Sequence, residues 1–225
     1  MAPLRDKLTV GSRVIIAEQA DLRGEISIGS GTVIHPKATI LALQGPISIG
    51  SNCIIEETAA IVNRTKELMK IGDENLFEVG CRIESPRIGS YNTFEIRSRV
   101  AHTVSIGSFC TVGAACTLIP SVLWPDDLKG IFEDDQEDVD HLRDELQQQE
   151  VGRLDSTTSS QSQPSAIGDD ERVESIPDRT VVFGIQAKRR LWSGEGLKQQ
   201  AALHAKHLEY LREAIPRSHK LKIIQ

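Results

Sequence analysis

Residues Val10 to Ile40 read VGSRVIIAEQADLRGEISIGSGTVIHPKATI, and within them Val10, Ile16, Leu22, Ile28, Ile34 and Ile40 fall six apart without a miss. The rhythm slips and restarts three times: Ile49, Ile55, Ile61; then Ile71, Phe77, Ile83; then Ile88, Phe94, Val100, Ile106, Val112, Leu118. A helix repeats every 3.6 residues and a half-buried strand every two, so neither alone gives a strict six. Six is the step of a parallel β-helix of hexapeptide repeats, each supplying one short strand and one corner. Gly follows the aliphatic residue at Gly11, Gly29, Gly50, Gly72, Gly89 and Gly107, at intervals of 18, 21, 22, 17 and 18 residues. One coil is therefore three hexapeptides. Gly suits a corner that needs unusual φ/ψ or one where coils approach closely.

The four cysteines each stand two residues before a ladder position (Cys53, Cys81, Cys110, Cys116). Strand alternation turns that slot inward, and Ala20, Thr32, Ala38, Ala59 and Ser98 occupy it elsewhere. They read as small core residues. Cys53 and Cys110 share a face but lie three coils apart, about 14 Å, too far for a disulfide.

The 225 residues carry a net charge of −6 and only 4% aromatics. Residues 126–173 hold 15 Asp/Glu against 4 Lys/Arg, with a Ser/Thr/Gln/Pro run at 156–165. That composition predicts a disordered acidic insertion. It carries −11, leaving about +5 on the rest. The ladder resumes at Ile176 and Val182. Leu197, Ala201, His204, Leu208, Leu211 and Ile215 then follow the spacing of one helix stripe, expected to pack outside the β-helix and to stop at Pro216. Arg217, Lys220 and Lys222 form a basic tail. The expected layout is a β-helix over 1–120, the insertion over 121–173, a last coil over 174–192, and a helix with tail over 193–225. The N-terminus lacks a signal-like apolar run, so a soluble intracellular protein is expected.

Hexapeptide β-helices serve acyl transfer, zinc-dependent hydration of carbon dioxide, or scaffolding, and the fold does not choose. A zinc site needs three converging imidazoles, yet the body offers only His35 and His102, roughly 14 Å apart along the axis. A transferase base would have to be His35, although Ile34-His35-Pro36 reads equally well as a corner. Asn63-Arg64-Thr65 matches a glycosylation sequon in a chain with no secretory signal. Glu56, Glu78 and Glu95 each follow a second-face ladder residue, so they should stack as a solvated acidic column able to dock a basic partner.

The wording of several repeats is more specific than their period. Thr32-Val-Ile-His-Pro-Lys-Ala38, Asn75-Leu-Phe-Glu-Val-Gly-Cys81, Asn92-Thr-Phe-Glu95, Thr180-Val-Val-Phe-Gly184 and the Arg189-Arg190 pair resemble the dynactin subunit 6 family. The resemblance covers nearly all of the chain except residues 121–173. It implies a left-handed parallel β-helix of about six to seven coils with a C-terminal α-helix, and no catalysis or cofactor. It further implies membership of the dynactin pointed-end complex beside dynactin subunit 5, dynactin subunit 4 and the pointed-end actin-related protein. There such proteins cap the filament and help engage dynein cargo adaptors in the cytoplasm. Glu56, Glu78, Glu95, Arg189 and Arg190 are the expected partner-facing residues.

Overall fold

The computed structural model describes residues 6–120 and 173–223. The acidic segment expected at 121–173 lies, but for Val173, outside them. The chain winds as a left-handed parallel β-helix with three faces. Coil 1 is β1 (Lys7–Val10), β2 (Ile15–Ile16) and β3 (Asp21–Arg23); coil 2 is β4 (Glu25–Ile28), β5 (Val33–Ile34) and β6 (Thr39–Ala42). Coil 3 is β7 (Ile47–Ile49), β8 (Ile54–Ile55) and β9 (Ala60–Asn63), and coil 4 is β10 (Met69–Ile71), β11 (Leu76–Phe77) and β12 (Arg82–Ile83). Coil 5 is β13 (Arg87–Ile88), β14 (Thr93–Phe94) and β15 (Arg99–Val100); coil 6 is β16 (Val104–Ile106), β17 (Thr111–Val112) and β18 (Thr117–Leu118). A seventh coil contributes β19 (Glu174–Ile176) and β20 (Thr180–Phe183). It was expected to run to residue 192, but it has no third face. The chain reverses instead, and β21 (Lys188–Leu191) pairs antiparallel with β20.

Every ladder residue meets its counterpart on the next coil. The first face stacks Val10, Ile28, Ile49, Ile71, Ile88, Ile106 and Ile176. The second stacks Ile16, Ile34, Ile55, Phe77, Phe94, Val112 and Val182, and the third runs from Leu22 to Leu118. Phe77 and Phe94 stack with ring centroids 5.0 Å apart, filling the core where the second face turns aromatic. Ala20, Thr32, Ala38, Ala59 and Ser98 at the inward slot are buried as well, and so are all four cysteines. Burial pushes the Cys53 thiol up to about 12. Two further occupants, Asn75 and Asn92, are fully enclosed and bond coil to coil: Asn75 Oδ1 accepts from the Asn92 amide, and Asn92 Oδ1 from the Cys110 amide.

The corners divide two jobs. The Gly after each first-face ladder residue is there for space: a Cβ on Gly29 would overlap the backbone of Gly50, and one on Gly50 that of Gly72. The unusual backbone lies two residues later, at Arg13, Asn52, Glu74, Tyr91, Phe109 and Arg179, each with φ between 55° and 60°. The second corner repeats this with Lys37, Thr58, Arg97 and Ala115. Most of these are not residues that favour the left-handed region, so the stacked coils impose it.

α1 (Leu197–Ser218) runs along the outside of the second face. It passes through Pro216 rather than stopping there. Proline sits in the last turn, where its missing N–H costs one terminal hydrogen bond. Among the described residues no helix is long and apolar enough to cross a membrane.

Candidate partner-binding surface

α1 lies where it does because the outward positions of the second face are apolar in the first four coils. Ile15, Val33, Ile54 and Leu76 receive Leu208, Leu211 and Ile215, and Val33 and Ile54 lose all contact with water. Polar clamps fix the register. Arg212 donates to Gly31 O at 2.7 Å and to Asn52 Oδ1 at 2.9 Å, His204 Nε2 lies 2.8 Å from Asn52 O, and Gln200 reaches Thr93 Oγ1. Part of the basic tail belongs to the fold. Leu221 bridges to Ala17, the Lys222 amide donates to Ile16 O, and Lys222 Nζ donates to Ala20 O. Beyond Leu76 the N-terminal half of α1 and the face below it leave a cleft of about 290 Å³, lined by Tyr91, Phe109, Thr93 and Leu197.

Glu56, Glu78 and Glu95 do stack, one per coil, but they are half-buried rather than a free edge. Each carboxylate accepts a backbone N–H from the coil above: Glu56 from Val79 at 3.1 Å, Glu78 from Ile96 at 3.0 Å, Glu95 from Ala114 at 2.8 Å. Burial and then the neighbouring carboxylate raise the Glu56 pKa. Burial and the charge of Glu95 raise that of Glu78, against the lowering hydrogen bond. Val79 and Ile96 are exposed beside them, so this corner presents carboxylates interleaved with aliphatic surface. Arg189 and Arg190 lie on β21, at the far end of the second sheet. They are not brought to the glutamates: β8, β11 and β14 are separated from β21 by β17 and β20.

His35 is not as isolated as the coils alone suggested. α1 and the tail bring His207 and His219 into electrostatic range of it, and burial ahead of any charge lowers its pKa. Its Nε2 is closed to solvent, with no hydrogen-bond partner among the described residues. His102 sits in the corner that follows β15 of coil 5. Among the described residues no three His, Cys, Asp or Glu side chains are grouped to hold a metal. His204 and His207 were missed as neighbours of the acidic residues: they approach Glu74 at 3.5 Å and Glu56 at 4.0 Å. Only the heptad-like stripe on which His204 stands pointed that way. Asn63, the sequon residue, is buried and spends its amide on Pro46 O and Glu67 O, holding the loop between β9 and β10.

Compared with known sequences, the chain is 38% identical over 121 residues to dynactin subunit 6 of Nematostella vectensis, covering 49% of this chain and 66% of that protein. It is 35% identical over 121 residues to dynactin subunit 6 of Danio rerio, covering 48% and 62%. The chain is a relative of dynactin subunit 6. Against five dynactin subunit 6 proteins the match spans between 51% and 66% of their own length. No protein-family model matches. Among solved structures, a hexapeptide transferase family protein of Anaplasma phagocytophilum superposes with a TM-score of 0.63 over 93% of this chain and 94% of that one. At 13% identity this likeness shows the fold alone.

Proposed function

We propose that this relative of dynactin subunit 6 is a non-catalytic scaffold of the dynactin pointed-end complex. On this reading it works in the cytoplasm with the cytoskeleton, supporting the cap of the actin-related filament and the attachment of dynein cargo adaptors. Its neighbours would be dynactin subunit 5, dynactin subunit 4 and the pointed-end actin-related protein. The observation that carries the reading is the 38% identity to a protein named dynactin subunit 6. The site chemistry supports it. A general base must reach the proton it takes, and His35 Nε2 is sealed. The surface features that remain suit contact: the Glu56, Glu78 and Glu95 corner with Val79 and Ile96, and the basic strand bearing Arg189 and Arg190. A tagged chain expressed in its own cells should capture an actin-related filament. Capture of no dynactin component, together with acyl-coenzyme A turnover by the pure protein, would overturn the reading in favour of a hexapeptide transferase.

A further inference from the structure

β21 ends the second sheet. It pairs with β20 from Thr180 opposite Leu191 to Phe183 opposite Lys188, and among the described residues no strand pairs with its other edge. All four of its residues are exposed. Val182 faces the core and stands opposite Arg189, so side-chain alternation puts Arg189 and Leu191 on the inward side of the sheet and Lys188 and Arg190 on the outward side. Arg189 reaches across the open end of the coil to pair with both carboxylate oxygens of Glu174. Lys188 and Arg190 carry no such ion pair among the described residues.

Cations on an edge strand commonly serve to repel other strands. Two features set β21 apart from that use. Leu191 is 68% exposed and Ile185, in the turn before the strand, is fully exposed, which places apolar surface where a protected edge would avoid it. The charge of Arg189 is already taken up by Glu174, leaving two cations, two residues apart, on one side. That is the spacing of alternate residues on a neighbouring strand, and opposite charges facing across a strand pair attract.

We propose that the free edge of β21 is a strand-addition site for an extended acidic segment of another protein. Main-chain hydrogen bonds supply the attachment. Carboxylates at alternate positions face Lys188 and Arg190, and an apolar side chain between them packs on Leu191. The proposal rests on the reading of the Arg189-Arg190 end as partner-facing and gives that contact a mode.

The test uses the full chain and a short fluorescein-labelled peptide of alternating Glu and Val, with a Lys/Val charge-reversed peptide and a backbone N-methylated Glu/Val peptide as controls. Anisotropy should show saturable binding of the Glu/Val peptide alone, weakened about tenfold by Lys188→Glu with Arg190→Glu. Amide exchange should slow in β21 on binding. No binding, equal binding of the charge-reversed or N-methylated peptide, or slowed exchange confined to other elements overturns the proposal. So does sedimentation showing that the edge is taken by a second copy of this chain. Dynactin capture by the double variant is read separately, so failure of the scaffold reading is distinguishable from failure at β21.

Discussion

The guanidinium of Arg212, on α1, fills the space that a side chain at Gly31 would need, and it donates to the carbonyl of that same glycine at 2.7 Å. Gly31 also has φ of 74°. Two requirements, room and backbone, therefore fall on one position, and each is testable apart from the other.

Gly31→Ala should destabilise the fold by about 2 kcal/mol, partly from the left-handed backbone and partly from expelling Arg212. In an Arg212→Ala background the same substitution should cost clearly less, since only the backbone part and the crowding against Asn52 Oδ1 remain. A double-mutant cycle by urea unfolding measures the difference. Additive effects would mean the two residues do not compete for space.

The glutamate column should tolerate loss of charge but not loss of its acceptors. Glu56→Gln with Glu78→Gln and Glu95→Gln keeps an oxygen for each amide and removes the like-charge stack. Replacement of all three by Ala should cost roughly 0.5–1.5 kcal/mol for each hydrogen bond lost. The folded pKa values of Glu56 and Glu78 are raised. Their contribution is therefore fully present below the unfolded carboxylate pKa and is lost as pH rises through the folded values. The advantage of the Gln variant should accordingly grow from pH 4 to pH 7, as followed by urea midpoints.

Acidification should loosen the seat of α1. Burial lowers the pKa of both His35 and His207, so the unfolded chain takes up protons first. Stability is then held above the ordinary imidazole value of about 6.5 and falls as pH drops below it. Amide exchange in α1 should quicken from pH 7 to pH 5.5 after correction for intrinsic rates. His35→Gln with His207→Gln should flatten that response.

Thr58 is β-branched yet has φ of 58°, a costly conformation for such a residue. Thr58→Gly should stabilise the chain by about 1 kcal/mol, the strain relieved exceeding the added freedom of the unfolded backbone. A lower urea midpoint would show that the bond from Thr58 Oγ1 to Glu57 O matters more.

What could be read from sequence follows from what the repeat makes local. Ile16, Ile34 and Ile55 announce their stacking because each is one coil from the next and all are aliphatic. The left-handed corners stayed hidden because Arg13, Glu74, Tyr91 and Phe109 carry no local signal for that backbone; the coils above and below impose it. The Glu56, Glu78 and Glu95 stack followed from register, but its bonds to Val79, Ile96 and Ala114 depend on how far each corner bends. His204 and His207 reach coils 130 to 152 residues away in sequence, which no period encodes. Pro216 misled for a simpler reason: proline ends helices on average, and here only the last turn remained.

Native mass spectrometry of the endogenously tagged protein tests the scaffold account most directly. The account predicts an assembly that contains this chain together with actin-related subunits. A symmetric trimer of this chain alone would contradict it.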